Sequence, residues 1–321
     1  MRNVKRVFVA LLLFNVCQTG WSQSYPSRPV RVVVGFGAGG PDTTARLLSQ
    51  QLSIQTGQSF IVDNRPGASG TIGADIVAKA TPDGYTLLVG SATMVNNAAI
   101  AKKLPFDVVK DLAPVSQLAA TEAYILVVNA SLPAQNVKEL IALARKPDSK
   151  ISYGSNGVGS GGHLVAALFN ARAKTNMVHV PYKGAGATTT ALMAGEIQLM
   201  FGTPPLSLPL IKAGKVRALA YDNDTRASFL PAVPTLPEAG LAQTDLGSWH
   251  GMFAPARIPA ATLARLESEV RKAIAQPEMH DRIEKLGLIP IGKSSAEFKL
   301  IVAKSLKAST EAARAATIEP E

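Results

Sequence analysis

The sequence predicts an α/β protein of two domains built on mainly parallel sheets, and three observations predict it. Short β-branched runs alternate with longer helical stretches along most of the chain. A glycine-rich turn from strand to helix occurs three times, at 35–40, 154–162 and 184–186, in two separate stretches. The 321 residues, 47% of them hydrophobic, are enough for two domains that each bury a core.

The elements follow in order. Residues 1–24 begin with Arg2, Lys5 and Arg6, continue through the apolar run 7–16 and end in the small and polar segment 18–24. That is the order of a secretory leader, and the apolar run is too short for a permanent membrane span. Cleavage is expected near 22–24, with lipid attachment at Cys17 as the alternative; Val16 before the cysteine argues against it. Strands are expected at 30–34, 60–63, 86–90, 124–129, 151–154, 177–180, 197–201, 216–221 and 249–254, where Val, Ile, Thr and aromatic residues cluster. Helices are expected at 43–55, 73–80, 137–145, 163–173, 187–194 and 259–276. Strands separated by helices imply parallel pairing with right-handed crossovers. The chain should pass between domains near 122–124 and return near 248–253, giving one domain of 25–123 with 247–321 and another of 124–246. Helical stretches at 260–286 and 296–316 should pack back on the first domain.

Composition excludes several functions. The formal charge is +10; three of these positive charges fall in residues 1–24, which hold no acid, leaving +7 on the rest. Basic residues are dispersed without interleaved aromatics, so nucleic acid is not an expected partner, whereas a mild attraction for anions is. Cys17 is the one cysteine, so after cleavage no disulfide, thiolate metal site or cysteine nucleophile remains. The four histidines, at 163, 179, 250 and 280, lack zinc spacing, and no metal or cofactor is expected.

The first glycine turn, Gly35-Phe36-Gly37-Ala38-Gly39-Gly40, matches the dinucleotide fingerprint G-x-G-x-x-G, and Asp63 falls where a ribose-binding acid would. Asp42 opposes that reading, because its charge at the helix start would repel a pyrophosphate, and export removes the chain from the cytoplasmic cofactor pool. What survives is general: unpaired N–H groups at a helix start, with the aligned peptide dipoles, attract an anion that glycine lets approach. Several such starts facing one cleft would hold a carboxylate. Asp42 reads as an N-cap paired with Arg46, or as a ligand contact that would favour an amino or hydroxyl group. Thr43 and Thr44 read as capping residues. Ser155, Asn156 and Ser160 are polar side chains in one glycine-rich helix entry and are candidate ligand contacts. His163 reads as structural. Tyr182 could cover a ligand with its ring, Lys183 reads as solvated, and Ser91 and Thr93 are candidate hydroxyl donors. An exported serine hydrolase using Ser160 and His163 is the alternative function, although neither serine has G-x-S-x-G flanks and no orienting acid is near.

Six segments carry a resemblance: 32–46 (VVVGFGAGGPDTTAR), 62–70 (VDNRPGASG), 80–88 (ATPDGYTLL), 153–160 (YGSNGVGS), 179–184 (HVPYKG) and 233–240 (VPTLPEAG). In this order they resemble the Bug-type extracytoplasmic solute receptors, the substrate-binding proteins of tripartite tricarboxylate transporters, over essentially the whole chain after the leader. The resemblance implies a periplasmic, monomeric, non-catalytic receptor with the two-domain type II periplasmic-binding-protein fold. Its lobes would close on a small carboxylate (a di- or tricarboxylate, an amino acid or an aromatic acid) and deliver it to a membrane permease. It implies that main-chain groups and waters hold the carboxylate, and carries Phe36, Ala38, Gly39 and Asp42 from the first loop, Ser155, Asn156, Gly157 and Ser160 from the second, and Tyr182, Gly184 and Ala185 from the third. The chain departs from the family where proline is usual at Gly35, an acid at Ala167 and aspartate at Ala191; a looser first loop is expected.

Overall fold

The computed structural model describes residues 25–121 and 123–318; the expected leader, with Cys17, lies outside them. The first lobe opens with β1 (Val30–Val34), α1 (Gly40–Thr56), β2 (Phe60–Asn64), a 3-10 turn (Ala68–Gly70), α2 (Thr71–Ala78), β3 (Thr86–Ser91), α3 (Ala92–Ile100) and β4 (Leu112–Thr121). The second lobe holds β5 (Ile125–Asn129), α4 (Val137–Ala144), β6 (Ser152–Ser155), α5 (Gly161–Arg172), β7 (Val178–Pro181), α6 (Ala185–Ala194), β8 (Leu199–Gly202), α7 (Pro204–Lys212) and β9 (Val216–Tyr221). The chain then returns through β10 (Ser248–Pro255), α8 (Ala260–Ile274), α9 (Pro277–Lys285), β11 (Ile289–Lys293) and α10 (Ser295–Ala315).

Each lobe is built on one sheet, in the order β11-β4-β10-β3-β1-β2 and β7-β6-β8-β5-β9. The sheets are mixed rather than mainly parallel. The pairs β1–β2, β1–β3, β6–β7 and β6–β8 are parallel, whereas β10 runs antiparallel to β3 and β4, β11 to β4, and β5 to β8 and β9. The parallel pairs are the helix-linked crossovers that alternation foretold. β5 and β10 enter their sheets directly from the other lobe, so no crossover fixes their direction.

Burial follows from side-chain alternation. Val32 and Val34 face α1, α8 and α9 in a core with Leu48, Leu52, Val270 and Ile283, while Val33 points the other way, toward Phe253, Phe298 and Val302. Helices on both faces explain why β1 is almost wholly apolar. The second sheet likewise separates Leu126 and Val128 from Ile125 and Val127. α10 packs Phe298 and Val302 on the first lobe and then Ala312 and Ala313 into the second lobe's core, so it spans both lobes. The pattern missed β4, whose Pro114, Ser116 and Gln117 interrupt its apolar run, and β11, α3 and α7, the last of which holds Pro209 inside. The helical stretch 260–286 is two helices, because Pro277 opens α9.

Candidate functional site

In the first loop, a Cβ on Gly35 would stand 2.5 Å from the Gly70 carbonyl oxygen. The glycine therefore lets the 3-10 turn pack closely onto the loop. The Phe36 ring lies against Gly70 on the same side. α1 starts from Gly39, whose φ of 153° favours glycine and whose helix end has no side-chain cap. Asp42 is thus not the N-cap but the third helical residue, buried, with Oδ1 accepting from Asn64 Nδ2 at 2.7 Å and Oδ2 from Arg46 Nε at 3.0 Å. Asn64 Nδ2 also donates to the Phe36 carbonyl at 3.0 Å. Burial opposes ionisation of Asp42, but the bonds from Arg46 and Asn64 outweigh it and hold the carboxyl below its ordinary range. Asp42 therefore braces the loop, and Gly37, Ala38, Gly39 and Gly40 are its exposed part.

Ser91 stands at the N-cap of α3, buried and making no side-chain cap bond, with Thr93 half-buried in the first turn. In the second loop both serines turn inward. Ser155 Oγ donates to the Gly157 carbonyl at 3.0 Å and meets His179 Nε2 at 2.7 Å. Ser160 caps α5 by accepting from the His163 N–H at 3.3 Å. Asn156 is the exposed side chain of the loop. Ser160 and His163 do not form a nucleophile and base: their contact is through the His163 backbone, and the ring accepts from Gly159 N–H at 3.2 Å. Ser155 and His179 are close enough for such a pair, but Ser155 is only 2% exposed and its hydroxyl is already committed.

The third loop lies beside the second, since Tyr182 N–H donates to Ser155 O at 2.9 Å and Thr188 Oγ1 to the same oxygen at 3.1 Å. α6 begins at Gly184, with φ 100° and no side-chain cap; Ala185, Gly186 and Ala187 form its first turn. The Tyr182 ring packs against the second-lobe core near Val180, and burial, with Glu196 beside it, raises its hydroxyl pKa. The ring is half-buried against that core, and the backbone N–H of Tyr182 faces the neighbouring loop. Lys183 is exposed.

The loops of the two lobes meet. Ser69 Oγ donates to Val158 O at 2.8 Å, Gly159 rests on Asn97, and Gly287 sits against Pro205. Sequence reasoning missed Asn64, Ser69 and Asn97. Asn64 and Ser69 stand inside the quoted 62–70 segment, where their polarity beside Gly67 and Gly70 was the available signal. The turns that meet expose mainly peptide groups, and an uncapped helix start lies beside them in each lobe: α1, whose loop residue Phe36 touches Gly70 with its ring, and α6, whose loop residue Tyr182 donates its N–H to Ser155 O. Such groups favour an anion.

The model of the tripartite tricarboxylate transporter family receptor matches residues 44–316, most of the chain. The chain belongs to this receptor family. Protein BugT of Bordetella pertussis is 32% identical over 273 residues, 84% of this chain and 83% of that protein. Among solved structures, R. palustris Rpa4515 with adipate is 33% identical with a TM-score of 0.85, covering 92% of this chain and all of that one. MatC (Rpa3494) from Rhodopseudomonas palustris with bound malate is 30% identical with a TM-score of 0.81, covering 90% of this chain and 99% of that one. The receptor therefore has the α/β two-domain periplasmic-binding-protein fold. No helix among its described residues is long and apolar enough to cross a membrane.

Proposed function

We propose that this receptor captures a small carboxylate between its lobes in the periplasm and hands it to a permease of the tripartite tricarboxylate type, without chemistry. The lobes in this reading are 25–123 with 247–321, and 124–246, and residues 1–24 are a leader removed on export. One observation carries the proposal: the turns before α2 and α5 meet through Ser69 and Val158, and beside them stand the uncapped glycine starts of α1, whose loop residue Phe36 lies against Gly70, and of α6, whose loop residue Tyr182 donates its N–H to Ser155 O. The adipate and malate held by the two solved relatives support the ligand class. The binding groups are the backbone of Phe36, Ala38 and Gly39, the Asn156 side chain with the peptide groups of Gly157, and the first turn of α6 at Gly184 and Ala185, with Ser91 and Thr93 as hydroxyl donors. Asp42, Ser155, Ser160 and Tyr182 shape these loops from within.

A ligand that touches both lobes stabilises the shut state, which is how occupancy becomes a signal to a membrane partner. The test is a thermal-shift screen of residues 25–321 against mono-, di- and tricarboxylates, amino acids and aromatic acids, confirmed by calorimetry. A ligand at a hundredfold excess over its Kd adds about 2.7 kcal/mol of stability. If no carboxylate shifts the transition while simple esters are hydrolysed in a Ser160-dependent way, the receptor reading fails.

A further inference from the structure

Behind the second glycine loop three rings stack. Tyr153 of β6 lies 5.0 Å from His179 of β7, and His179 lies 3.9 Å from His163 of α5, centroid to centroid. Each imidazole holds one end of the loop. Gly159 N–H donates to His163 Nδ1, so this ring carries its proton on Nε2. The Ser155 hydroxyl donates to Gly157 O, which makes His179 Nε2 the donor to Ser155 Oγ and puts the second ring in the same tautomer. Ser160 and His163 also form a variant of the capping box. Ser160 Oγ accepts from the backbone of His163, three residues on, and the imidazole reaches back where a Glu is usual.

We propose that His163 and His179 are positioning residues for the ligand: as two neutral imidazoles they fix loop 156–160, and the second lobe presents its share of the site only while neither takes a second proton. The inference rests on the reading of that loop as part of the carboxylate site. A proton on His163 Nδ1 would turn an acceptor into a donor aimed at the Gly159 N–H. Charging both rings would place like charges 3.9 Å apart. A cavity of about 690 Å³ beside the stack is lined by Lys102, Ala167, Asn170 and residues 315–318 at the end of α10; Lys102 is its one charged side chain among the described residues, and no carboxylate among them lines it. The surroundings thus offer an imidazolium a cation and no anion. Burial, with His179 adding, takes His163 down to about 3, and burial takes His179 to about 4.

The experiment uses residues 25–321 with ¹⁵N-labelled histidine, and adipate and malate as probes. Both rings should read as neutral Nε2–H tautomers at about pH 5.5, and affinity should hold from about pH 8 to 5.5 and drop at about pH 4. His163→Phe keeps a ring in the stack but cannot accept; Gly159 amide exchange should accelerate and affinity fall, each about tenfold. His163→Asn, whose Oδ1 can accept, should recover most of both. An imidazolium signal from either ring at about pH 6, or a folded His163→Phe protein with Gly159 protection and affinity intact, overturns the proposal. Lost protection with unchanged affinity overturns it too, by placing the loop outside the site. If the wild type binds neither probe, the ligand reading is what has failed, and the ring titration and Gly159 exchange still decide how the histidines hold the loop.

Discussion

Replacing Ser69 tests how closure is coupled to binding. Its hydroxyl donates to Val158 O across the lobes at 2.8 Å, and its own backbone, with φ 55° and ψ 31°, sits in the left-handed region beside Ala68 at φ 44°. A left-handed residue other than glycine costs about 1–2 kcal/mol, so this turn is strained where it reaches across. Ser69→Ala removes the bond and keeps the strain. The half-buried hydroxyl contributes about 1 kcal/mol net to the shut state, so the population of that state and the ligand affinity should fall about fivefold. Ser69→Gly loses the same bond but relieves the strain, less the extra freedom of the unfolded chain. It should bind as weakly as Ser69→Ala yet be about 1 kcal/mol more stable without ligand. Calorimetry with adipate or malate, with small-angle scattering of the ligand-free protein, measures both effects. Wild-type affinity and an unchanged radius of gyration in Ser69→Ala would refute the reasoning, because the contact would then have no part in closure.

Asp42→Ala leaves Arg46 with only the Asn64 Oδ1 and Asn64 Nδ2 with only Phe36 O; stability should fall by about 1–2 kcal/mol, the exposure of Arg46 keeping the loss modest, and affinity should fall with it. Urea unfolding checks the first part, and a variant as stable as wild type would show that the brace is not needed. Gly184→Ala meets no neighbour within 4 Å but must adopt φ 100°, so a loss of about 1 kcal/mol and weaker binding are expected despite the open space. Asp222 is buried near the return crossing, accepts from Thr244 N–H at 2.8 Å and from the Thr244 hydroxyl, and burial raises it from 3.8 to about 6 against those bonds. An acid raised on folding stabilises below its unfolded pKa, and that stability is lost as pH rises through about 6. Asp222→Asn should therefore melt higher than wild type at about pH 8, by at most about 3 kcal/mol of stability, with the gap closing toward about pH 4. A lower melting point at about pH 8 would reverse the sign.

The parallel half of each sheet was legible because βαβ units write themselves into the chain as Val-rich runs, glycine turns and helical periods. β4 was not, since its Ser116 and Gln117 are buried polar residues that break the apolar run, and Ser116 is satisfied by a neighbour distant in sequence: its Oγ donates to Lys293 O at 2.6 Å, 177 residues away. The site divided the same way. Gly39, Gly184 and the second loop stood out because positive φ and helix entry are local needs. The directions of the Asp42 and Tyr182 side chains were not legible, because Asn64 and Glu196, distant in the chain, help decide where they go.

By itself the sequence determined the strands of the βαβ units, β5, β9 and β10, and the turns rich in glycine between strand and helix, all consequences of backbone sterics and apolar spacing over a few residues. Only the tertiary structure decided that Ser155 and Ser160 turn inward, that β5 and β10 run against their neighbours, and that Ser69 meets Val158. These outcomes depend on which donors and acceptors from distant parts of the chain are brought within about 3 Å, and hydrogen bonding at that range leaves no periodic trace in the chain.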